Sequence, residues 1–210
     1  MSKVLEQLMV KYPDLEPCRA SIQAAFEAME LSFDKGGKML LAGNGGSAAD
    51  CEHVVGELMK GFMSPRRLPK EQRDKMMVHG EAQGTYLADH LQGALPAISL
   101  VSHTAFATAF NNDVAADMVF AQQVYGYGKQ VDTLVVFSTS GNSANIVHAV
   151  QVAKSMGVTT IGLTGEGGGR LKDLCDVIIR VPYSSTPDIQ ERHLPIYHVL
   201  CMMLEEAFFE

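Results

Sequence analysis

A β-branched apolar run, Thr133-Leu134-Val135-Val136-Phe137, breaks into Ser138-Thr139-Ser140-Gly141-Asn142-Ser143, after which apolar residues resume at helical spacing from Ala144. That order reads as strand, tight loop, helix. A continuously apolar strand has no solvent face, so it belongs inside a sheet covered on both sides. The phrase recurs along the chain. Residues 38–42 run into Gly43-Asn44-Gly45-Gly46-Ser47 and a helix, 97–101 into Ser102-His103-Thr104, 158–163 into Thr164-Gly165-Glu166-Gly167-Gly168-Gly169, and 177–181 supply a fifth strand. Such alternation predicts an α/β fold, a mostly parallel five-stranded sheet with helices on both faces and right-handed crossovers. The 210 residues, 47% hydrophobic and 20% charged, suit one such domain over 1–210.

Ligands on open sheets of this kind collect outside the carboxyl ends of the strands, which directs attention to the loops. Ser138, Thr139, Ser140 and Ser143 surround a helix start, whose unpaired amides and dipole favour an anion such as phosphate. An ordinary N-cap gives the same S-x-x-S spacing. In Gly43–Ser47 the glycines permit positive φ and close backbone approach, and Ser47 suits either a cap or a substrate oxygen. The spacing is not G-x-G-x-x-G, so a cofactor pyrophosphate is not expected there. On the next helix His53 and Glu57 are four apart on one face. The spacing alone reads first as a solvated pair, and a metal-binding pair or a base beside a polarising partner would look the same. Asn112-Asp113 suits a cap for a helix starting near Val114.

Two helices are expected before the first strand, at 2–12 and 16–34, the second stopped by Gly36-Gly37. They have little of a small sheet left to cover, so one of them is expected to pack on another subunit. Residues 64–93 interrupt the α/β rhythm with Ser64-Pro65-Arg66-Arg67-Leu68-Pro69, a helical turn or two at 70–78 and a short helix within 80–94. A segment of that length is more often functional than idle. Its Arg66, Arg67, His79 and His90 are read first as solvated surface. The net charge of −7 argues against a broad nucleic-acid footprint. Four cysteines lack C-x-x-C spacing, no apolar signal segment precedes them and no run approaches a bilayer span. Free thiols and a cytoplasmic protein without membrane contact are therefore expected.

Ser138-Thr139-Ser140-Gly141-Asn142-Ser143 together with Gly43-Asn44-Gly45-Gly46-Ser47 resembles the sugar isomerase (SIS) domain family, and within it the sedoheptulose 7-phosphate (phosphoheptose) isomerases. The resemblance runs from about Phe33 to the C-terminus, apart from 64–93, which reads as an insertion. It implies a single SIS domain in a homotetramer whose N-terminal helices (1–36) build a bundle, acting on a phosphorylated sugar in heptose and lipopolysaccharide biosynthesis. By residue match the serine loop, Asn44, Gly45 and Ser47 hold the sugar phosphate, and Asn112 and Asp113 lie on the substrate side. Glu57 is the general base and His53 a metal ligand. Residues 186–193 resemble the family's T-x-x-I-Q-E-x-H signature. The match implies that Gln190 contacts substrate or metal, that His198 is proton donor or metal ligand, and that His53, Glu57, Gln190 and His198 gather around Zn²⁺. Eight helical residues rise ~12 Å, so Gln190 and His198 reach one ion only by leaning together or from two subunits. The chain departs from relatives at Pro187, where they carry an acid; Asp188 follows one position later. The implied reaction is conversion of sedoheptulose 7-phosphate to D-glycero-D-manno-heptose 7-phosphate. Two alternatives stay open: a phosphosugar sensor, and a non-catalytic SIS protein binding a bacterial replication initiator. Relatives of the latter kind lack the C-terminal His, which this chain keeps as His198.

Overall fold

The computed structural model describes residues 2–209. Its elements are helices α1 (Lys3–Lys11) and α2 (Arg19–Asp34), strand β1 (Met39–Gly43), α3 (Gly46–Met59), α4 (Lys70–Met76), α5 (Glu81–His90) and β2 (Ala97–Ser99). There follow α6 (Thr104–Asp113), α7 (Val119–Tyr127), β3 (Thr133–Phe137), α8 (Ala144–Ser155), β4 (Thr159–Thr164), α9 (Leu171–Leu174), β5 (Val177–Arg180) and α10 (Thr186–Phe209). The five strands form one sheet in the order β2-β1-β3-β4-β5, every pairing parallel. The chain turns outward in opposite directions from β1 and β3, which are neighbours. Their carboxyl ends therefore flank the crevice where an open parallel sheet takes its ligand.

The strand pleat sorts side chains into two cores. Met39, Leu41, Val135, Phe137, Ile161 and Leu163 face one side, where α1, α2, α3 and α10 close over them. Leu40, Ala42, Leu134 and Val136 face the other and pack against α7 and α8 through Phe120, Val124, Ile146 and Val150. At about 25 cal/mol per Å² of apolar surface removed from water, these two layers are the main stabilising term.

The two N-terminal helices find cover within the chain. Val4, Leu5, Leu8 and Met9 of α1 and Ile22, Ala25, Met29 and Phe33 of α2 are buried within this chain. The 24-residue α10 supplies the missing surface, because its apolar residues run most of the way round it and one sheet face cannot take them all.

The segment 64–93 folds as a loop, α4 and α5, closed at its base by an antiparallel bridge between Arg67 and Gln92. Arg66 is not solvated surface: its side chain is fully buried. Its guanidinium donates to Glu205 Oε1 (2.6 Å), Leu58 O (2.7 Å) and Glu57 O (2.9 Å), which ties the last carbonyls of α3 to α10. Glu205 also accepts from the amides of Phe62, Met63 and Ser64 (2.8, 2.7 and 3.1 Å). A buried guanidinium is tolerated because each of its three nitrogens donates to a buried acceptor, one of them the Glu205 carboxylate. Asn112 and Asp113 form the last turn of α6 rather than a cap for the helix after it.

Candidate active site

Two loops meet at the carboxyl edge of the sheet. Asn44 and Asn145 exchange amide hydrogen bonds in both directions (3.0 and 2.9 Å), joining the Gly-rich turn after β1 to the serine turn after β3. Ser47 and Ser138 are buried beneath them. Ser143 stands at the N-cap of α8, yet its hydroxyl makes no capping bond; it lies 3.4 Å from Ser138 Oγ, and Asn145 Oδ1 instead accepts from the Ile146 amide (3.0 Å). The S-x-x-S pattern is thus not spent on ordinary capping. Ser140 Oγ accepts from the Asn142 amide (3.2 Å), which shapes the turn.

The third Gly-rich loop, 164–169, is a buttress. Gly165 donates to Thr139 O (3.0 Å), Arg170 to Asn142 Oδ1 (3.0 Å) and Leu171 to Gly141 O (3.2 Å). Gly141 has φ of +64°, and a Cβ there would lie 2.1 Å from Gly168 O. Gly141→Ala is expected to cost more than ~1 kcal/mol, read as a lower urea midpoint.

A second group lies along α3 and α10. His53 Nδ1 is 3.0 Å from the Tyr197 hydroxyl, which donates to Asp50 Oδ1 (3.3 Å). His53 Nε2 is 3.2 Å from Glu57 Oε1, and Lys60 Nζ donates to Glu57 Oε2 (3.1 Å). The His198 ring lies 5.0 Å from that of His53 and 5.5 Å from Phe62, and its Nε2 is buried with no partner. Burial pushes the His198 pKa down, the nearby His53 adds to this, and Glu57 opposes it. His198 thus favours its neutral form, able to accept a proton or a metal. Burial raises Asp50 against the lowering bond from Tyr197. His198 also lines a surface groove of about 260 Å³ between α1 and α10, beside Tyr12, Leu194, Pro195 and Met202.

The chain therefore brings together His53, Glu57 and His198 from segments more than 140 residues apart in sequence, and separately the residues of the serine and Gly-rich turns. It does not join the two groups. Ten helical residues separate Ser47 from Glu57, an axial distance of ~15 Å. Gln190 stays with the loops: its amide sits where a Cβ on Gly46 would be, 2.6 Å from Nε2, two turns of α3 before His53. Asn112 and Asp113 are exposed and bond to each other (2.8 Å). His193 is fully buried, its Nε2 3.4 Å from Thr164 O, and burial takes its pKa down to about 4.

Among the described residues no three His, Cys, Asp or Glu side chains form a ready metal site. Two imidazoles and a carboxylate, one nitrogen of them buried and unpartnered, are nevertheless a donor set suited to Zn²⁺. Sequence reasoning missed Tyr197 and Asp50, which hold His53, and Arg66 and Glu205, which anchor the helix end beneath Glu57. Tyr197 reads from the sequence only as one apolar position of α10.

Comparison with known proteins agrees with this fold. The SIS domain family matches residues 81–165. A phosphoheptose isomerase of Rhodospirillum rubrum is 38% identical over 193 residues, 92% of this chain and 89% of its own. One of a Nitratiruptor species is 43% identical over 171 residues, covering 81% and 78%. Among solved structures, a phosphoheptose isomerase from Neisseria gonorrhoeae superposes with a TM-score of 0.75 at 31% identity, covering 96% of this chain and 94% of that one. Another from Francisella tularensis gives 0.76 at 30% identity, covering 95% and 92%.

Proposed function

This chain belongs to the SIS-domain phosphoheptose isomerases and is a sugar-phosphate isomerase, and from that premise we propose that it interconverts sedoheptulose 7-phosphate and D-glycero-D-manno-heptose 7-phosphate. The observation that carries the reading is the grouping of Glu57, His53 and His198, with a buried unpartnered nitrogen on His198.

The reaction moves one proton between neighbouring carbons and a second between their oxygens. Glu57 removes the proton from C1 of the ketose, leaving an enediolate, and returns it to C2. His198, neutral at rest, takes the proton of the C1 hydroxyl and gives one to the O2 oxygen as charge develops there, so the enzyme ends as it began. Ser47, Ser138, Thr139, Ser140 and Ser143, with the backbone at Asn44 and Gly45, hold the phosphate end and fix which carbon lies under the base. Asn112, Asp113 and Gln190 are available for the sugar hydroxyls. A zinc ion held by His53, Glu57 and His198 would act as a Lewis acid on the carbonyl oxygen.

The ~15 Å between Ser47 and Glu57 supports a homo-oligomer, with the tetramer as its form, in which the acid–base group of one copy serves the phosphate loops of another. The groove beside His198 opens one member of that group to the surface. Purified protein incubated with sedoheptulose 7-phosphate in D₂O is expected to form the aldose with solvent deuterium at C2, read by NMR. Substrate binding without conversion or deuterium exchange contradicts the reading.

Because Ser143 makes no cap, Ser143→Ala is expected to leave thermal stability within ~0.5 kcal/mol of the parent. Loss of one hydrogen bond to a charged group, ~1.5–3 kcal/mol, predicts a KM about 10- to 100-fold higher. A stability loss of cap size with unchanged KM would assign the hydroxyl to the helix instead.

A further inference from the structure

We propose that Tyr197 is a positioning residue whose phenol oxygen accepts a hydrogen bond from His53 Nδ1–H while its own O–H donates to Asp50, which holds His53 Nε2 facing Glu57 as a lone-pair donor. This rests on the reading of His53 and Glu57 as part of the acid–base site.

A phenol has one proton to give. It lies between Asp50 Oδ1 at 3.3 Å and His53 Nδ1 at 3.0 Å. A carboxylate only accepts, so the proton goes to Asp50 and the remaining contact closes only if Nδ1–H donates to the phenol oxygen. That fixes the tautomer. In it an Nε2 lone pair points at Glu57 Oε1, 3.2 Å away, so the contact is favourable only around a shared positive centre, a second proton or a metal ion. The ring of Tyr197 is itself held: it is buried, edge-on to Phe137 at 6.0 Å, to His53 at 5.5 Å and to His198 at 5.0 Å. Asp50 lies one turn before His53 on α3, and Tyr197 comes from α10. The relay thus also sets the two helices in register at the level of the site. Partners of this kind on a ligating histidine set its orientation and strengthen it as a donor.

The test reads the imidazole directly. Long-range ¹H–¹⁵N spectra of ¹⁵N-labelled protein, with and without Zn²⁺ and with His53 assigned by difference from His53→Gln, are expected to show a proton on Nδ1. A His53 ring carrying its only proton on Nε2 overturns the inference, whatever any variant does. Tyr197→Phe keeps the ring against Phe137 and removes only the hydroxyl. Zn²⁺ affinity by calorimetry is expected to fall about 10- to 100-fold, with faster solvent exchange of the Nδ1 proton. Unchanged affinity and exchange in that variant also overturn it. Neither readout needs turnover, so a parent that carries the Nδ1 proton but fails to isomerise the sugar defeats the functional reading and leaves the relay standing.

Discussion

Glu57→Gln is expected to lower kcat by about 10²- to 10⁴-fold while the dissociation constant for the phosphosugar stays near the parental value. The amide keeps the size of the side chain and its acceptor oxygen toward Lys60, so the cluster keeps its shape. It cannot take a proton from carbon. The substrate grip proposed here comes from loops about ten helical residues away, which the substitution does not touch. Solvent-exchange NMR distinguishes this from slow product release, because the variant is also expected to stop incorporating deuterium at C2. Retained turnover would remove Glu57 from the reaction.

The largest effect on stability is expected at Arg66 and Glu205. Removing one partner leaves the other charged and fully buried, which typically costs ~3–5 kcal/mol. Glu205→Ala is the more damaging of the two, since the Phe62, Met63 and Ser64 amides lose their acceptor together with Arg66. A double variant, Arg66→Met with Glu205→Leu, removes the stranded charge but not the stranded amides, and is expected to recover only part of the loss. Denaturant unfolding of the four proteins measures this. Acid adds a second reading. Burial alone would raise the Glu205 pKa, but the two amides of Phe62 and Met63 and the Arg66 guanidinium hold it below the ordinary 4.5. The stability it contributes is therefore complete above pH 4.5 and is lost as pH falls through the lowered folded value. Glu205→Gln, already destabilised at neutral pH, is expected to lose less between pH 5 and pH 3 than the parent does.

The parts of the fold set by short-range pattern were legible in the chain. Continuous apolar strands each followed by a glycine or serine turn require a covered parallel sheet, and the turn at 138–143 marks the crevice beside β1 and β3. What depended on distant partners was not legible. Arg66 sits in a Pro- and Arg-rich loop that looks solvated until Glu205, 139 residues later, is brought beside it. The cover for α1 and α2 is likewise remote, since it is the far surface of α10. The end of α6 was misplaced because Asn-Asn-Asp serves a helix terminus as well as a cap. Within the site, the i, i+4 pair of His53 and Glu57 was visible as spacing, and His198 through the family signature. The hold of Tyr197 on His53 was not visible, because one aromatic in a buried helix carries no mark of a hydroxyl in use. The separation of Gln190 from His198 follows from helix rise alone, and with the ~15 Å between Ser47 and Glu57 it is why the proposed site draws on a second copy of the chain.

That second copy is what a mixing experiment addresses. Glu57→Gln lacks the base, and Ser140→Asp sets a carboxylate against the substrate phosphate; each protein alone is expected to be nearly inactive. If the acid–base group of one copy serves the serine loop of another, a mixed pair contains one site built wholly from intact parts. Equal mixing through a dissociation and reassembly step should then restore about a quarter of the parental activity. Hybrid oligomers, verified by mass, that stay as inactive as either variant would contradict a site shared between copies.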